Sequence, residues 1–217
     1  MAQLRLNGLR IFIFLDDILL VASPFADCIE QLSLLRKLLE SLGFVINDAK
    51  SQFQPTTRIC FLGFIIDSIS MKVLLPEDKL QKILSACLNL VSKNNPSVRE
   101  VAHETCLLVS AFPAVNYLNL YYRSIELCQF RALSENLDFD LAIILSPQAK
   151  SDLHWIINNL ARFNGCFFGE RPIDILIECN ASLAGWGASC GGQSANDQWS
   201  LLEARNHINY LELLAAL

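Results

Sequence analysis

The adjacent aspartates Asp16 and Asp17 interrupt an apolar stretch that runs from Ile11 to Ala22. Both flanks are rich in β-branched and aromatic residues, which favours a strand on each side. The acidic pair is the only polar break, so the sequence predicts a β-hairpin with both aspartates in its tight turn. Two carboxylates at the tip of a rigid hairpin can hold a hard divalent cation such as Mg²⁺, which prefers oxygen ligands. Two-metal sites of this kind act on phosphate groups.

The composition indicates that this chain is a piece of a larger protein. Its 217 residues suggest one large domain or two small ones. The hydrophobic fraction is 53% and the charged fraction only 18%, whereas complete soluble domains are usually less apolar and more charged. We interpret the excess as core that lacks its covering partner. The net charge of -5 shows no basic footprint, which argues against a complete nucleic-acid-binding protein.

The eight cysteines favour reduced thiols over metal or disulfide sites. Their spacings are wide and include no C-x-x-C pair, which disfavours zinc. The chain shows no signal peptide, so we expect an intracellular protein of the cytoplasm or nucleus. The apolar run at 11–22 is too short for a transmembrane helix and carries two aspartates, so no membrane association is expected.

Hydrophobic periodicity divides the chain into three segments. Residues 1–75 form an α+β unit in this interpretation, and 76–164 are helical. Strands return in 165–217. In the first segment we predict a helix capped by Ser23 and ended by Gly43, followed by strands at 44–46, 50–54 and 59–66.

The helical segment has clear start signals. Helices are predicted from Pro76, from a capping box formed by Ser97 and Glu100, over 115–127, and from Ser146-Pro147. In the last segment we predict strands over 173–179 and 183–190, a turn at Gly191-Gly192, a further strand from Trp199, and a helix that begins at Tyr210 with Asn209 as its cap.

Three ordered motifs in the first segment resemble the palm of reverse transcriptases. Phe14-Leu15-Asp16-Asp17 resembles the catalytic Y-x-D-D hairpin of that family, with Phe14 in the tyrosine place. Leu42-Gly43-Phe44 followed by Lys50-Ser51 resembles the next motif, and Phe61-Leu62-Gly63-Phe64 resembles the strands that grip the primer end. One such motif is only moderately specific, because aspartate is a common turn residue. Three in order at natural spacing are much more specific.

The resemblance extends over residues 5–217. Two stretches resemble the thumb of retrotransposon polymerases: Leu75-Pro76-Glu77-Asp78-Lys79-Leu80 and Phe112-Pro113-Ala114-Val115. Three others resemble the start of a ribonuclease H domain: 177–182, 185–188 and 207–213. The likeness is strongest to the DIRS-like group of retroelements. It implies an RNA-directed DNA polymerase, a nucleotidyltransferase of the DNA/RNA polymerase superfamily, with Mg²⁺ or Mn²⁺ as cofactor and an RNA or DNA primer-template as partner.

The resemblance assigns roles to individual residues. Asp16 would bind both metals and Asp17 would support it, while Lys50 would protonate the leaving pyrophosphate. Phe14, Leu62 and Gly63 would contact nucleic acid. Each assignment has a structural alternative: Asp17 can stabilise the turn, Lys50 can be a surface lysine, and Gly63 can be the glycine of a β-bulge.

The departures from the family pattern predict that this chain is inactive by itself. Residues 1–15 contain no acidic residue, so the upstream metal-binding aspartate is missing, and so are the fingers. In the ribonuclease H segment, Asn180 stands at the first catalytic aspartate, and an amide brings no negative charge to a metal. Glu212 matches the helix carboxylate of that site, but it also suits the N3 partner of an Asn209 cap.

Our hypothesis is therefore a truncated, inactive retroelement reverse transcriptase: a partial palm over 1–75, a thumb and connection over 76–164, and the start of a ribonuclease H domain over 165–217. The alternative is a non-catalytic remnant that binds nucleic acid or the parent polymerase. A third reading is a relic that scarcely folds, because open sheet edges and apolar surface promote self-association.

Overall fold

The computed structural model describes residues 4–5, 8–135, 137–169 and 174–217, and the side chain of Glu135 is left aside. The chain divides into two compact units, residues 1–169 and 170–217. Both mix helices and strands, which confirms the α+β fold class. None of the described helices has the length and apolarity needed to cross a membrane.

The first unit opens with an antiparallel hairpin that packs on one helix. Strand β1 (Arg10–Phe14) pairs with β2 (Asp17–Val21), and helix α1 (Phe25–Ser41) follows. A small cluster forms between them, in which Leu9, Ile11 and Leu35 are buried. Burying these side chains offsets the weak stability of an isolated two-stranded hairpin.

Of the two predicted ends of α1, only the C-terminal one is correct. Gly43 lies just past the helix at φ +84, and its N–H donates to the carbonyl of Glu40 over 3.0 Å. This is the left-handed conformation that glycine adopts without a steric penalty, so the predicted C-terminal glycine is confirmed. The predicted Ser23 cap is wrong, because the helix begins at Phe25 and no side chain caps it.

A four-stranded sheet follows, in the order β3 (Arg58–Phe61), β4 (Phe64–Asp67), β5 (Lys72–Leu74) and β6 (Cys166–Phe167). The strands predicted at 44–46 and 50–54 are absent, because this segment is coil and turn. The single strand predicted over 59–66 is instead a hairpin that reverses at Leu62-Gly63. The turn carries no signal in the sequence, because residues 59–66 contain no polar side chain.

Five helices complete the first unit: α2 (Glu77–Ser92), α3 (Val98–Ala111), α4 (Leu118–Tyr121), α5 (Arg123–Glu135) and α6 (Pro147–Asn159). The capping box is confirmed, with the Glu100 N–H donating to Ser97 Oγ and the Ser97 N–H donating to the Glu100 carboxylate. Ser146 caps α6 as predicted. The single helix predicted over 115–127 is wrong: Tyr117 takes a left-handed φ of 65°, and two helices follow it.

Two carboxylates are buried in the helical part, Asp152 on α6 and Glu104 on α3. Glu104 on α3 is fully buried, and Cys87 on α2 donates from Sγ to its Oε1 over 3.0 Å. Its Oε2 finds no hydrogen-bond partner among the described residues. Burial is the main cause that raises the pKa of Glu104 to about 7, and the thiol donor opposes it. Burial first, and then the neighbouring carboxylate, raises the pKa of the Cys87 thiol.

The second unit is a three-stranded antiparallel sheet with one helix against it. Strands β7 (Glu178–Ala181), β8 (Gly185–Cys190) and β9 (Gln193–Gln198) pair in that order, and helix α7 (Ile208–Ala215) closes the unit. The turn at Gly191-Gly192 is confirmed, since both residues have positive φ. The strand predicted over 173–179 begins only at Glu178, and position 173 lies outside the described residues. The third strand ends before Trp199, where it was predicted to start.

Candidate nucleic-acid interface

The acidic hairpin exists, but its turn lies one residue earlier than predicted. Leu15 and Asp16 form the turn, and Leu15 takes a left-handed φ of 53°. Asp17 is the first residue of β2 and pairs with Phe14. Because the turn contains only two residues, Phe14 and Asp17 still pair as the last rung of the β-ladder. Asp16 is therefore the only one of the two aspartates in the turn. The prediction that both form the turn is wrong for Asp17.

Both carboxylates lie exposed at the tip of the hairpin. Asp16 lies in the turn and Asp17 is the next residue, at the start of β2. Their two carboxylates therefore lie at the same end of the hairpin. Across the part of the chain that the structure describes, no group of three or more His, Cys, Asp or Glu residues could hold a metal ion. Divalent-cation sites recruit more oxygen ligands than two carboxylates provide. The described residues therefore do not complete a two-metal centre.

Phe14 belongs to an exposed apolar face of the hairpin. Side chains alternate between the two faces of a strand, and Ile11, Ile18 and Leu20 face α1. Phe12 and Phe14 lie on the opposite face and are 57% and 56% exposed. Beside the acidic tip the chain thus presents aromatic rings to solvent, which is compatible with the predicted contact between Phe14 and nucleic acid.

Lys50 lies in a turn after α1 and not at the start of a strand. The backbone N–H of Lys50 donates to Asn47 Oδ1 over 3.3 Å, and Lys50 is exposed. The surrounding loop is tied to α1 by Arg36, which contacts Asp48 at 3.1 Å and lies 4.8 Å from the centre of the Phe53 ring. The hydrogen bond to Glu40 and the charge of Asp48 raise the pKa of Arg36. The predicted catalytic role of Lys50 stays a prediction.

Leu62 and Gly63 form the tip of the second hairpin. Both residues have positive φ, 50° and 74°, as a tight turn of type I′ requires at its two central positions. A Cβ at Gly63 would meet open space, so packing does not require glycine here. The positive φ of the backbone does favour it. Leu62 is 43% exposed at this tip. The bulge alternative for Gly63 is wrong, because the glycine sits in the turn.

A lysine lies behind this hairpin. Lys79 on α2 places Nζ 4.5 Å from the centre of the Phe64 ring and donates to the carbonyl of Ser110 over 3.3 Å. Burial is the main cause that lowers the pKa of Lys79. The sequence analysis assigned no role to this residue. Its position behind an aromatic ring could not be found from the spacing of residues along the chain.

In the second unit, Asn180 lies on β7 and pairs with Gly187 of β8. Its Oδ1 accepts a hydrogen bond from the N–H of Ala181 over 3.0 Å. Asn180 lines an open depression of about 710 Å³ together with Asp197 of β9, a carboxylate that the sequence analysis missed. No periodic or motif signal marks Asp197, since five of the six residues of β9 are polar and show no alternation. Pairing between β8 and β9 alone brings it to this depression.

Glu212 is exposed on α7, and it is not among the described residues that line the depression beside Asn180. The cap of α7 differs from the prediction. His207 Nδ1 accepts from the N–H of Asn209 over 3.2 Å, and the helix begins at Ile208. The interpretation of Glu212 as the N3 partner of an Asn209 cap is therefore wrong. Its ribonuclease H role stays a prediction.

Comparison with known proteins identifies the fold. No protein-family model matches the chain, and no curated protein matches it. A foamy viral protease-reverse transcriptase dRH in complex with double-stranded DNA aligns with 99% of this chain at a TM-score of 0.62 and 18% identity. The foamy viral protease-reverse transcriptase in complex with an RNA/DNA hybrid aligns with 99% at a TM-score of 0.62 and 17% identity.

The same viral protein in complex with dsDNA gives a TM-score of 0.61 at 18% identity, again over 99% of this chain. The chain spans 37%, 28% and 44% of the three solved chains. These likenesses define a reverse-transcriptase-like fold, which confirms that part of the resemblance found in the sequence.

Proposed function

We propose that this chain is a segment of a retroelement reverse transcriptase. It carries the acidic hairpin β1–β2 of the palm, the hairpin β3–β4 that would grip the primer, the thumb and the start of ribonuclease H. The observation that carries the proposal is the exposed acidic tip at Asp16 and Asp17 within a reverse-transcriptase-like fold. Assignment to the DIRS-like group rests on the sequence motifs. Mg²⁺, with Mn²⁺ as a substitute, is the proposed cofactor of the complete enzyme.

In this proposal Asp16 and Asp17 would supply carboxylate oxygens to the metal, which neutralises charge on the reacting phosphates when it is bound. The described residues offer no third acidic ligand beside them. A further carboxylate would have to come from another polypeptide segment. We therefore expect the chain to be inactive alone, and Lys50 to matter only in the completed enzyme.

Primer extension tests this expectation. With a primed RNA or DNA template and Mg²⁺ or Mn²⁺, we expect no incorporation above background by the chain alone, because two carboxylates cannot complete the metal centre. The Asp16→Ala variant provides the matched control, since Asp16 is exposed and its replacement leaves the core intact. Incorporation by the wild-type chain that Asp16→Ala abolishes would contradict the expectation of inactivity.

A second candidate function is nucleic-acid binding without catalysis. It is supported by the exposed tip at Leu62 and by Arg58 and Lys72, two exposed cationic residues on strands of the same sheet. These two residues flank Asp67, and both align with it across the strands. The structural neighbours are complexes with double-stranded DNA or an RNA/DNA hybrid. We propose a primer-template duplex as the ligand of this hairpin.

A gel shift with a labelled RNA/DNA duplex measures this binding. Two phosphate contacts predict that affinity falls roughly tenfold between 50 and 200 mM salt, because counterions are released on binding. Leu62→Glu should weaken binding by placing a negative charge at the tip. Ile144→Glu is the matched control, since Ile144 is 79% exposed and lies between α5 and α6, outside the strands of this sheet. Equal losses in both variants would exclude Leu62 as a contact.

A further inference from the structure

The first unit contains a cavity of about 420 Å³ between helices α2 and α3. Its lining comes from residues 86–104, a stretch that the structure describes without a gap. Cavities of this size can hold small molecules. Asn89 and His103 are exposed and form its rim, whereas Glu104 is fully buried and forms its floor. No described residue of the hairpins β1–β2 and β3–β4 lines it.

The floor of the cavity carries a polar atom without a partner. Oε1 of Glu104 accepts from the Cys87 thiol over 3.0 Å, whereas Oε2 has no hydrogen-bond partner among the described residues. A buried polar atom that is left unpaired costs the full desolvation of that atom, and native structures rarely contain one. A molecule that enters the cavity and donates a hydrogen bond to Oε2 removes this cost.

The charges around the cavity favour a cation at its floor. The two other charged groups of the lining already have partners of opposite charge. Arg99 donates to Asp140 over 2.9 and 3.3 Å, and the Glu100 carboxylate accepts from Lys93. Glu104 forms no ion pair with any described residue. Its ionised carboxylate is therefore a buried charge without a counter-ion, which a bound cation neutralises.

We propose that the cavity binds a short primary alkylamine, whose ammonium group donates to Glu104 Oε2 at the floor. An ammonium group has three N–H donors and no acceptor, so it suits an unpaired carboxylate oxygen. Ala86 and Leu90 provide apolar surface for the alkyl chain. The exposed side chains of Asn89 and His103 change rotamers within nanoseconds, so the rim opens for a group of this size. This site is independent of the proposed nucleic-acid contacts.

Amine binding should depend on the ionisation of Glu104. Burial raises the pKa of Glu104 to about 7, whereas an alkylammonium group keeps its proton up to about pH 10. The ammonium group binds the ionised carboxylate, which is the minor form at pH 6 and the major form at pH 8. The apparent affinity should therefore be roughly tenfold higher at pH 8 than at pH 6.

The other titratable groups at the cavity do not produce this dependence. Burial raises the pKa of the Cys87 thiol, which contacts Glu104 from α2, so the thiol stays protonated. The hydrogen bond from Lys93 lowers the pKa of Glu100, so this carboxylate stays ionised. The hydrogen bond to Asp140 raises the pKa of Arg99. Only the His103 imidazole has to be tested separately.

A nuclear magnetic resonance titration of the full chain with n-butylammonium chloride at pH 6 and pH 8 tests the proposal. We expect saturable shifts in residues 86–104, with a dissociation constant on the order of millimolar because the ligand has few atoms. Glu104→Gln keeps the acceptor for Cys87 but removes the charge. It should weaken binding at pH 8 by at least roughly tenfold and remove the pH dependence. His103→Asn is the control, in which the pH dependence should persist.

Tetramethylammonium is the matched ligand control, since it carries the same charge without an N–H donor and should not bind. Circular dichroism at both pH values shows whether each variant is folded, and the comparison of the two ligands needs no variant. No saturable binding, which means a cavity that holds water only, would overturn the proposal. So would equal binding of tetramethylammonium, tighter binding at pH 6, or a pH dependence that is lost in His103→Asn but kept in Glu104→Gln.

Discussion

The free energy of unfolding of the first unit should fall by about 3 kcal/mol between pH 4.5 and pH 7, through one side chain, Glu104. The folded state raises the pKa of Glu104 from 4.5 to about 7, chiefly because the carboxyl group is buried. Between these values the folded protein keeps a proton that the unfolded chain has released. The stabilisation is complete below pH 4.5 and is lost as the pH rises through 7.

Glu104→Gln tests this effect by replacing the carboxyl group with a neutral one of the same shape. The Gln oxygen can still accept from the Cys87 thiol, so the hydrogen bond at 3.0 Å can persist. We expect the variant to lose most of the pH dependence of unfolding, measured by urea denaturation at pH 5 and pH 8.

Glu100→Gln is the control on the same helix. The hydrogen bond from Lys93 and that from the Ser97 backbone lower the pKa of Glu100, so its contribution is lost as the pH falls. That sign is opposite to the sign for Glu104. If wild-type chain and Glu104→Gln lost the same stability between pH 5 and pH 8, the buried carboxyl group would not be the cause.

Replacing Gly185 with alanine should unfold the sheet of the second unit. A Cβ at this position would lie 2.3 Å from the carbonyl oxygen of Asp197 and 3.1 Å from Cα of Gln198. Both atoms belong to the backbone of the paired strand β9, so the strands would have to separate. Overpacking commonly costs about 1–3 kcal/mol and sometimes more. A unit this small has only a few kcal/mol of stability to lose.

Gly187→Ala is the matched control in the same strand. Its added Cβ would meet its nearest atoms at 3.9 and 4.0 Å, which is ordinary contact. Hydrogen exchange of the β7–β9 amides reports the outcome. If the β7–β9 amides stayed protected from exchange in Gly185→Ala, the close approach of β9 would not require glycine at this position. Equal loss of protection in Gly187→Ala would lead to the same conclusion.

Local signals in the sequence predicted several elements correctly. The capping box of Ser97 and Glu100, the Ser146 cap and the glycine after α1 each follow from the chemistry of a few neighbouring residues. The acidic hairpin follows in the same way, since strands on both sides of a polar break leave few alternatives. The motif order also indicated the reverse-transcriptase-like fold, although no family model matches the chain.

Features that depend on pairing or packing between elements were not predicted from the local residue pattern. The turn at Leu62-Gly63 lies inside a continuous apolar run, so only pairing of β3 with β4 reveals it. Strand β6 is two residues long and pairs with β5, which lies far away along the chain. No signal in the sequence distinguishes Glu104 from other charged residues of an amphipathic helix, and only packing of α3 against α2 shows that its carboxylate is buried.

The sequence by itself determined that an acidic pair stands at the end of an apolar hairpin and that helices follow it, because capping, turn chemistry and hydrophobic periodicity act over a few residues. Only the tertiary structure decided that Asp16 alone occupies the turn, that Gly185 must lack a side chain while Gly187 need not, and that Glu104 is buried. The reason is physical: close approach and burial are set by atoms of other strands and helices, and the hairpin register is set by backbone pairing of Phe14 with Asp17, which the residue types in the turn do not fix.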